Sequence, residues 1–427
     1  MGGLGYMFDA MDVAIIAFVL PVLKLQWHLD SAQLGLVAAA SAFGGLFGAI
    51  LAGWLGDVIG RRAVMMWALA VYCAATLASA LVHGWRPFIN WRIVAGVGNY
   101  AESAIVAPFL AEFAGPAFRG RYIGAVASFF SFGFLLAAVI GYLLVPSGAE
   151  AWRYILMLTA LPIIMLLWWR RSLPESPRWL VSRGRFEEAD AVVAKLEREF
   201  EIRYGTSLPE VPVGCEKAEE RQPSRHASIR RLLTKSFLGV TCMALILWFA
   251  IGFAYYAFFS WIPTLLVERG MDITGSYTYS LAIYAAQVPG YLSAAALNDR
   301  LGRRAVITLY MLLGALTALA LAYAGSDLSA LFAACGLSFF MNGSYAGIYA
   351  YTPELFPTEI RATAHGMASS LSRVGAFISP IAVGYIFPIY GFLGVFGLSA
   401  GLLLAGALAV LILGVPTGKR SLEQIAG

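Results

Sequence analysis

Uncharged apolar runs such as 63–81 and 305–323 recur along this 427-residue chain. A helix needs about 20 mostly apolar residues to cross a bilayer's hydrocarbon core. Transmembrane barrels instead show weakly alternating segments of about 10 residues, and unbroken runs of this length exclude that pattern. Residues are 60% hydrophobic and 13% charged, against roughly 25% charged in soluble domains. An ordinary soluble enzyme is ruled out. The apolar content suffices for about twelve spans, so the chain is expected to be an all-α, multi-pass membrane protein.

The spans are expected near 4–24, 31–55, 63–82, 87–111, 121–145, 152–169, 237–266, 277–297, 305–324, 328–351, 363–387 and 391–414. This divides the chain into an N-terminal six-helix bundle (1–169), a polar linker (170–235), a C-terminal six-helix bundle (236–415) and a tail (416–427). Between Arg170 and Lys235 lie 14 Lys/Arg and 11 Asp/Glu. Within that stretch Phe186, Ala189, Val193, Leu196 and Phe200 recur at helical spacing, the pattern of an amphipathic helix under the membrane face or of a solvated spacer.

Placing the even-numbered loops, the linker and the tail on one side collects 24 of the 30 Lys/Arg, against five opposite and Arg373 inside a span. Basic residues favour the cytoplasmic side, so both termini are expected in the cytoplasm of a cell-membrane protein. The same bias accounts for the net charge of +5 without nucleic acid. Cys73, Cys215, Cys242 and Cys335 lack metal-ligand spacing and read as free thiols, mostly in core packing. No Lys or Arg precedes Lys24, and Asp9 and Asp12 interrupt the first apolar stretch, so no cleavable signal peptide is expected.

A repeat at an offset of 242 carries Asp57, Gly60, Arg61, Arg62, Ala63 and Val64 to Asp299, Gly302, Arg303, Arg304, Ala305 and Val306. The same offset carries Glu112 to Glu354, Arg119 to Arg361, Gly124 to Gly366 and Pro174 to Pro416. One register held across separated sites means two parallel six-helix repeats. Such repeats place a site at the midplane between two rocking bodies.

These residues resemble the major facilitator superfamily over nearly the whole chain. Gly53-Trp-Leu-Gly-Asp57-Val-Ile-Gly60-Arg61-Arg62 resembles the superfamily signature between its second and third helices. Pro174-Glu-Ser-Pro-Arg-Trp-Leu180, Pro353-Glu-Leu-Phe-Pro-Thr-Glu-Ile-Arg-Ala362 and Pro416-Thr-Gly-Lys-Arg-Ser-Leu-Glu-Gln-Ile425 resemble the sugar-porter branch and its organic-acid relatives. Where sugar porters carry glutamines on the seventh helix, this chain has the aromatic stretch Phe253 to Pro263. Asp9-Ala-Met-Asp12 resembles the paired aspartates of aromatic-acid:proton symporters and niacin-type transporters, with Ala10 where glycine is usual. Ser372-Arg373-Val374-Gly375 is similar to the arginine-bearing segment of organic-anion transporters. Asn99-Tyr100 departs from the small residues usual after Gly96-Val-Gly98, and would narrow or re-line the cavity.

A central aspartate costs about 2.5 to 3.5 kcal/mol on insertion scales, so Asp9 and Asp12 need a reason to be there. Spaced i, i+3, they share a face and repel if both ionise, which suits a proton site; for Asp9 a solvated helix end is an equal alternative. The resemblance pairs Arg92 with a first-helix aspartate. A rise of 1.5 Å per residue puts Asp12 roughly 17 Å below the outer end of its helix and Arg92 about 8 Å below its own. A direct pair then requires tilt and a reaching side chain. Glu102, at roughly 22 Å, is nearer in depth and is a second proton-site candidate.

Arg373 lies roughly 16 Å into the eleventh helix. An unpaired guanidinium is costly there, so a carboxylate of protein or ligand is expected beside it. Tyr255, Tyr256, Phe259 and Trp261 offer rings for stacking on a flat ligand. Asn99, Gln287, Asn342 and Tyr345 complete the candidate binding group. By resemblance, Asp57, Arg61, Glu112, Arg119, Glu175 and Arg178, with Asp299, Arg303, Glu354 and Arg361, gate the protein by clasping the bundles when the cavity faces outward.

The expectation is a monomeric, proton-coupled symporter of a small organic anion such as an aromatic or heteroaromatic monocarboxylate, needing neither cofactor nor metal. A sugar or polyol porter, an organic cation transporter, and a transporter-like sensor or scaffold are the alternatives. An enzyme is not expected: no nucleophile with its base, metal cluster or phosphate loop stands out, and His28, His83, His226 and His365 stand apart near loops or span ends.

Overall fold

A computed structural model describes residues 2–113, 119–205 and 230–416 of the chain. Its regular structure is helical throughout the described residues. Twelve rods follow the expected order: Gly2–Gln26, Ser31–Ile59, Arg61–Leu81, Trp85–Phe113, Arg119–Leu144, a broken sixth (Ala151–Thr159, Ile163–Ser172), a broken seventh (Lys235–Phe259, Ile262–Glu268), a broken eighth (Ile273–Ala285, Gln287–Leu301), Arg303–Ala322, Asp327–Glu354, and the two arms of Thr358–Leu413. Those arms, 358–390 and 392–413, bend at Gly391, whose φ of +58° suits glycine. They form two six-helix bundles. Among the described residues eight helices are long and apolar enough to cross a membrane by length and composition. Arg92 and Glu102 dilute the fourth rod, and breaks shorten the sixth and eighth.

Polar caps set several starts. Asp30 accepts from the N–H of Gln33 at 2.7 Å while Gln33 accepts from the N–H of Asp30 at 3.1 Å, closing a capping box on the second rod. Asp272 caps the eighth rod through Gly275. The breaks within the sixth, seventh and eighth rods depart from the continuous spans expected there. Each lies at or just before a proline (Pro162, Pro263, Pro289), which cannot donate to the carbonyl four residues back. For Pro263 that carbonyl is Phe259's, and the Tyr284 hydroxyl donates to it at 2.8 Å. The expected linker helix is Phe186–Tyr204, closed by Gly205 in the left-handed region; Ala189 packs with Trp179 and Leu180, while Phe186, Val193, Leu196 and Phe200 are exposed. Cys73 is buried but Cys242 is exposed, a departure from core packing, and Cys215 lies outside the described residues.

One apolar core runs through both bundles, joining Phe18 and Phe134 to Phe258 and Tyr284. Several contacts join the bundles towards the end remote from the termini. Lys24 pairs with Glu268 there. The Tyr277 hydroxyl donates to the Phe18 carbonyl at 2.5 Å. Phe43 meets Phe377 at 5.2 Å between ring centroids. A Cβ on Gly35 would lie 2.7 Å from the Pro380 carbonyl oxygen, and one on Gly384 would lie 2.4 Å from that of Ser31. Glycine lets the second and eleventh rods touch backbone to backbone. Towards the other end of the same two rods, Gly53 and Gly366 face open space.

Candidate functional site

The deepest polar group lies within the N-terminal bundle. Arg92 donates to both carboxylate oxygens of Asp12, at 3.1 and 2.8 Å. It also donates to the hydroxyls of Ser41 (3.2 Å) and Thr76 (3.4 Å). Thr76 and Thr159 donate to the same Asp12 oxygen at 3.2 and 3.4 Å. Arg92 is 0% and Asp12 1% exposed. Five rods, the first, second, third, fourth and sixth, are tied together by this pair.

The direct pair corrects the comparison of depths. On the fourth rod the Asn99 amide donates to the Asp9 carboxylate at 3.3 Å, which sets the two rods level. From there Arg92 stands seven residues along its helix, about 10.5 Å, and Asp12 three residues, about 4.5 Å, so the gap is roughly 6 Å. An extended arginine side chain covers that distance. Measuring from the outer ends failed because those ends are not level.

Asp9, buried like Asp12, also accepts from the Ser103 hydroxyl at 3.0 Å. It is not a solvated helix end. The amide of Asn99 is turned to the first rod. Glu102 stands one turn beyond Asn99, 0% exposed, and among the described residues neither of its carboxylate oxygens has a hydrogen-bond partner.

Across the midline lies a cluster of tyrosines. The guanidinium of Arg373 sits over the ring of Tyr100, 5.8 Å from its centroid. Arg373 is half-buried and forms no ion pair among the described residues. Tyr100 and Tyr256, one from each bundle, line the same hollow. The amide nitrogen of Gln287 is buried without a partner among the described residues. The Tyr345 ring packs edge-on to Tyr255 at 5.3 Å and its hydroxyl lies 3.5 Å from that of Ser372. A narrow hollow between Ser41, Tyr100 and Tyr256, of about 20 Å³, has room for about one water and not for a ring.

Other candidates are occupied within the protein. Trp261 is buried and its indole N–H donates to the Pro380 carbonyl at 3.1 Å. Phe259 is wedged among Phe134, Tyr255 and Tyr284. Asn342 donates to the Ser338 carbonyl of its own helix at 3.0 Å. His365, expected near a span end, lies within the eleventh rod, its ring 5.4 Å from that of Trp248. Sequence reading missed Tyr6, which donates to the Ser103 carbonyl at 3.0 Å and lies within electrostatic reach of Asp9, Glu102, Tyr349 and Arg373. It also missed Ser41, Thr76 and Thr159, because hydroxyls at helical positions carry no pattern of their own.

The proposed gating residues gather at the terminal end. Glu175 accepts from the N–H of Arg62 at 3.1 Å and of Ser176 at 3.0 Å, placing a carboxylate at the start of the third rod. The Asp57 carbonyl accepts from the Trp179 indole at 2.9 Å and from Arg183. Asp57, Arg61 and Arg178 line one surface hollow. In the C-terminal bundle Arg303 pairs with Glu354 at 3.2 Å, and Arg361 donates to the Phe356 carbonyl at 3.2 Å. These contacts stay within one bundle. The side chains of Glu112, Arg119 and Asp299 lie outside the described residues.

Comparison with known proteins agrees with this architecture. The family model described as "Sugar (and other) transporter" matches residues 8–427. The niacin transporter NiaP of Acinetobacter baylyi is 34% identical over 424 residues, covering 99% of this chain and 94% of that protein. The putative niacin/nicotinamide transporter NiaP of Bacillus subtilis is 31% identical, covering 99% and 96%. Among solved structures, a D-xylose-proton symporter superposes with a TM-score of 0.79 at 18% identity, covering 98% of each chain. The inward-open xylose transporter XylE of E. coli gives 0.77 at 20% identity, covering 99% and 97%.

Proposed function

The chain belongs to the sugar (and other) transporter family of the major facilitator superfamily, and we propose that it moves a small aromatic or heteroaromatic monocarboxylate of the nicotinate kind together with a proton. Arg373 carries this reading. It stands over Tyr100 and within electrostatic reach of Tyr349, and forms no ion pair with a carboxylate among the described residues. A substrate carboxylate would supply a two-pronged partner for the guanidinium, and the surrounding rings suit a flat aromatic body. The 34% identity to a niacin transporter supports the same substrate class.

Alternating access would follow from the asymmetry of contacts between the bundles. The remote end is held by Lys24 with Glu268, Tyr277 with Phe18 and the Gly35 and Gly384 approaches. With both termini at the cytoplasmic face of the cell membrane, as the basic residues favour, this conformation would be the one closed to the outside. The pairs at the terminal end would re-form across the bundles, as a monomer's clasp, when the cavity turns outward. The carboxyl groups of the first and fourth rods provide the proton site.

The test is uptake into proteoliposomes with an imposed pH gradient, offered nicotinate, benzoate, a hexose and a quaternary amine. Nicotinate uptake driven by an alkaline interior is expected, with Arg373→Gln abolishing it. Hexose or amine uptake with nicotinate ignored would overturn the substrate class. Nicotinamide, which lacks the carboxylate, should enter poorly, and its transport should not depend on Arg373.

A further inference from the structure

We propose that Glu102, with Asp9 beside it, holds the coupling proton, and that the Asp12–Arg92 pair is a permanent clamp that keeps its charges throughout transport. This rests on the proton-coupled reading above and separates two jobs within one acidic group.

Every partner of Asp12 belongs to the N-terminal bundle: Arg92, Thr76 and Thr159. A rocking body carries all of them together, so the surroundings of Asp12 do not change as access alternates. Protonating Asp12 would also leave the guanidinium of Arg92 buried without its counter-ion, which is strongly unfavourable.

Glu102 lies in the same bundle but has no such counter-ion among the described residues. It is fully enclosed, and neither oxygen receives a hydrogen bond from a described residue. Burying an ionised carboxylate without a donor is far more costly than burying the neutral acid, so a proton suits this conformation and water must arrive before it leaves. The groups around it are few. The first rod brings Tyr6, Asp9 and Asp12 near it, and the third brings Tyr72 and Cys73. The second rod has Asp57 alone, at its far end, and residues 129–141 of the fifth contain no ionisable side chain. Arg92, on its own rod, is engaged with Asp12.

The geometry also links proton and substrate. Tyr6 lies within electrostatic reach of Asp9, Glu102, Tyr349 and Arg373 alike. A negative charge at Glu102 would oppose an anion arriving at Arg373, and a proton there removes the opposition. Proton and carboxylate therefore favour each other's binding, the linkage that symport requires.

The full chain, reconstituted as wild type, E102Q and D12N, tests this by two measurements: gradient-driven nicotinate accumulation, and nicotinate exchange at equal pH on both sides. In E102Q the ratio of accumulation to exchange should fall about tenfold or more, and exchange should lose its pH dependence. D12N should lose accumulation and exchange together, with a lowered melting temperature. An unchanged ratio in E102Q, or a D12N protein that exchanges normally yet cannot accumulate, overturns the proposal. Proton uptake on adding nicotinate in detergent gives a second readout: present in the wild type, absent in E102Q. If E102Q does not fold, E102D serves, since a shifted pH midpoint for uptake supports the assignment and an unshifted one overturns it. A wild type that accumulates nicotinate with no response to pH would instead defeat the proton-coupled reading.

Discussion

Arg92 meets Asp12 with both prongs of its guanidinium, at 2.8 and 3.1 Å, in a pocket that leaves neither side chain more than 1% exposed. Breaking such a pair from one side costs about 3–5 kcal/mol, because the remaining charge stays buried. Asp12→Asn and Arg92→Gln should each sharply lower the detergent melting temperature, and the double variant should lose less than the sum of the two. Additive losses would mean that the pair is not a coupled unit.

Much of this arrangement was legible in the sequence, and the reasons differ by residue. The apolar runs located the rods to within a few residues, because a bilayer fixes helix length. The offset of 242 exposed the two-bundle plan, since a duplicated loop such as Asp57–Arg62 keeps its spacing. Asp9, Asp12, Glu102 and Arg373 stood out because charge within a span is rare. Pro162, Pro263 and Pro289 were visible too, but a proline kinks some helices and breaks others, depending on whether a donor such as Tyr284 reaches the freed carbonyl. That is a tertiary fact. The depth of Arg92 relative to Asp12 was misleading for a similar reason: helix ends mark loop geometry, not a common plane.

Gly60 adopts φ +102°, and a Cβ there would lie 2.4 Å from a Glu175 oxygen. Gly60→Ala therefore combines backbone strain of about 1–3 kcal/mol with displacement of the carboxylate that meets the start of the third rod. Slower transport is expected, with nicotinate affinity within a few-fold of the wild type, as for Asp57→Asn. Wild-type turnover in both variants would remove this loop from gating.

The hydroxyl of Tyr277 donates to the Phe18 carbonyl across the two bundles at 2.5 Å. Tyr277→Phe removes that bond and keeps the ring against Phe18. A net loss of about 0.5–1.5 kcal/mol from the closed remote end should raise the share of molecules open there by up to about tenfold. A single cysteine introduced at Phe134, in a background without native cysteines, should then react faster with a membrane-impermeant maleimide added from the remote side. An unchanged labelling rate would show that this bond does not bias the equilibrium.

Gly384 offers a harder perturbation of the same end. The eleventh rod approaches the second so closely that a Cβ at Gly384 would sit 2.4 Å from the Ser31 carbonyl oxygen, and backbone cannot swing aside as a side chain does. Gly384→Val should hold the remote end apart while leaving the Asp12–Arg92 clamp within its own bundle intact. The expected protein is folded, with a near-normal melting temperature, accessible to maleimide from the remote side at Phe134→Cys, and unable to complete a transport cycle. Gly366→Val, where nothing lies within 4 Å, should be tolerated and serves as the control. Normal uptake in Gly384→Val would mean that closure of the remote end does not require this backbone contact.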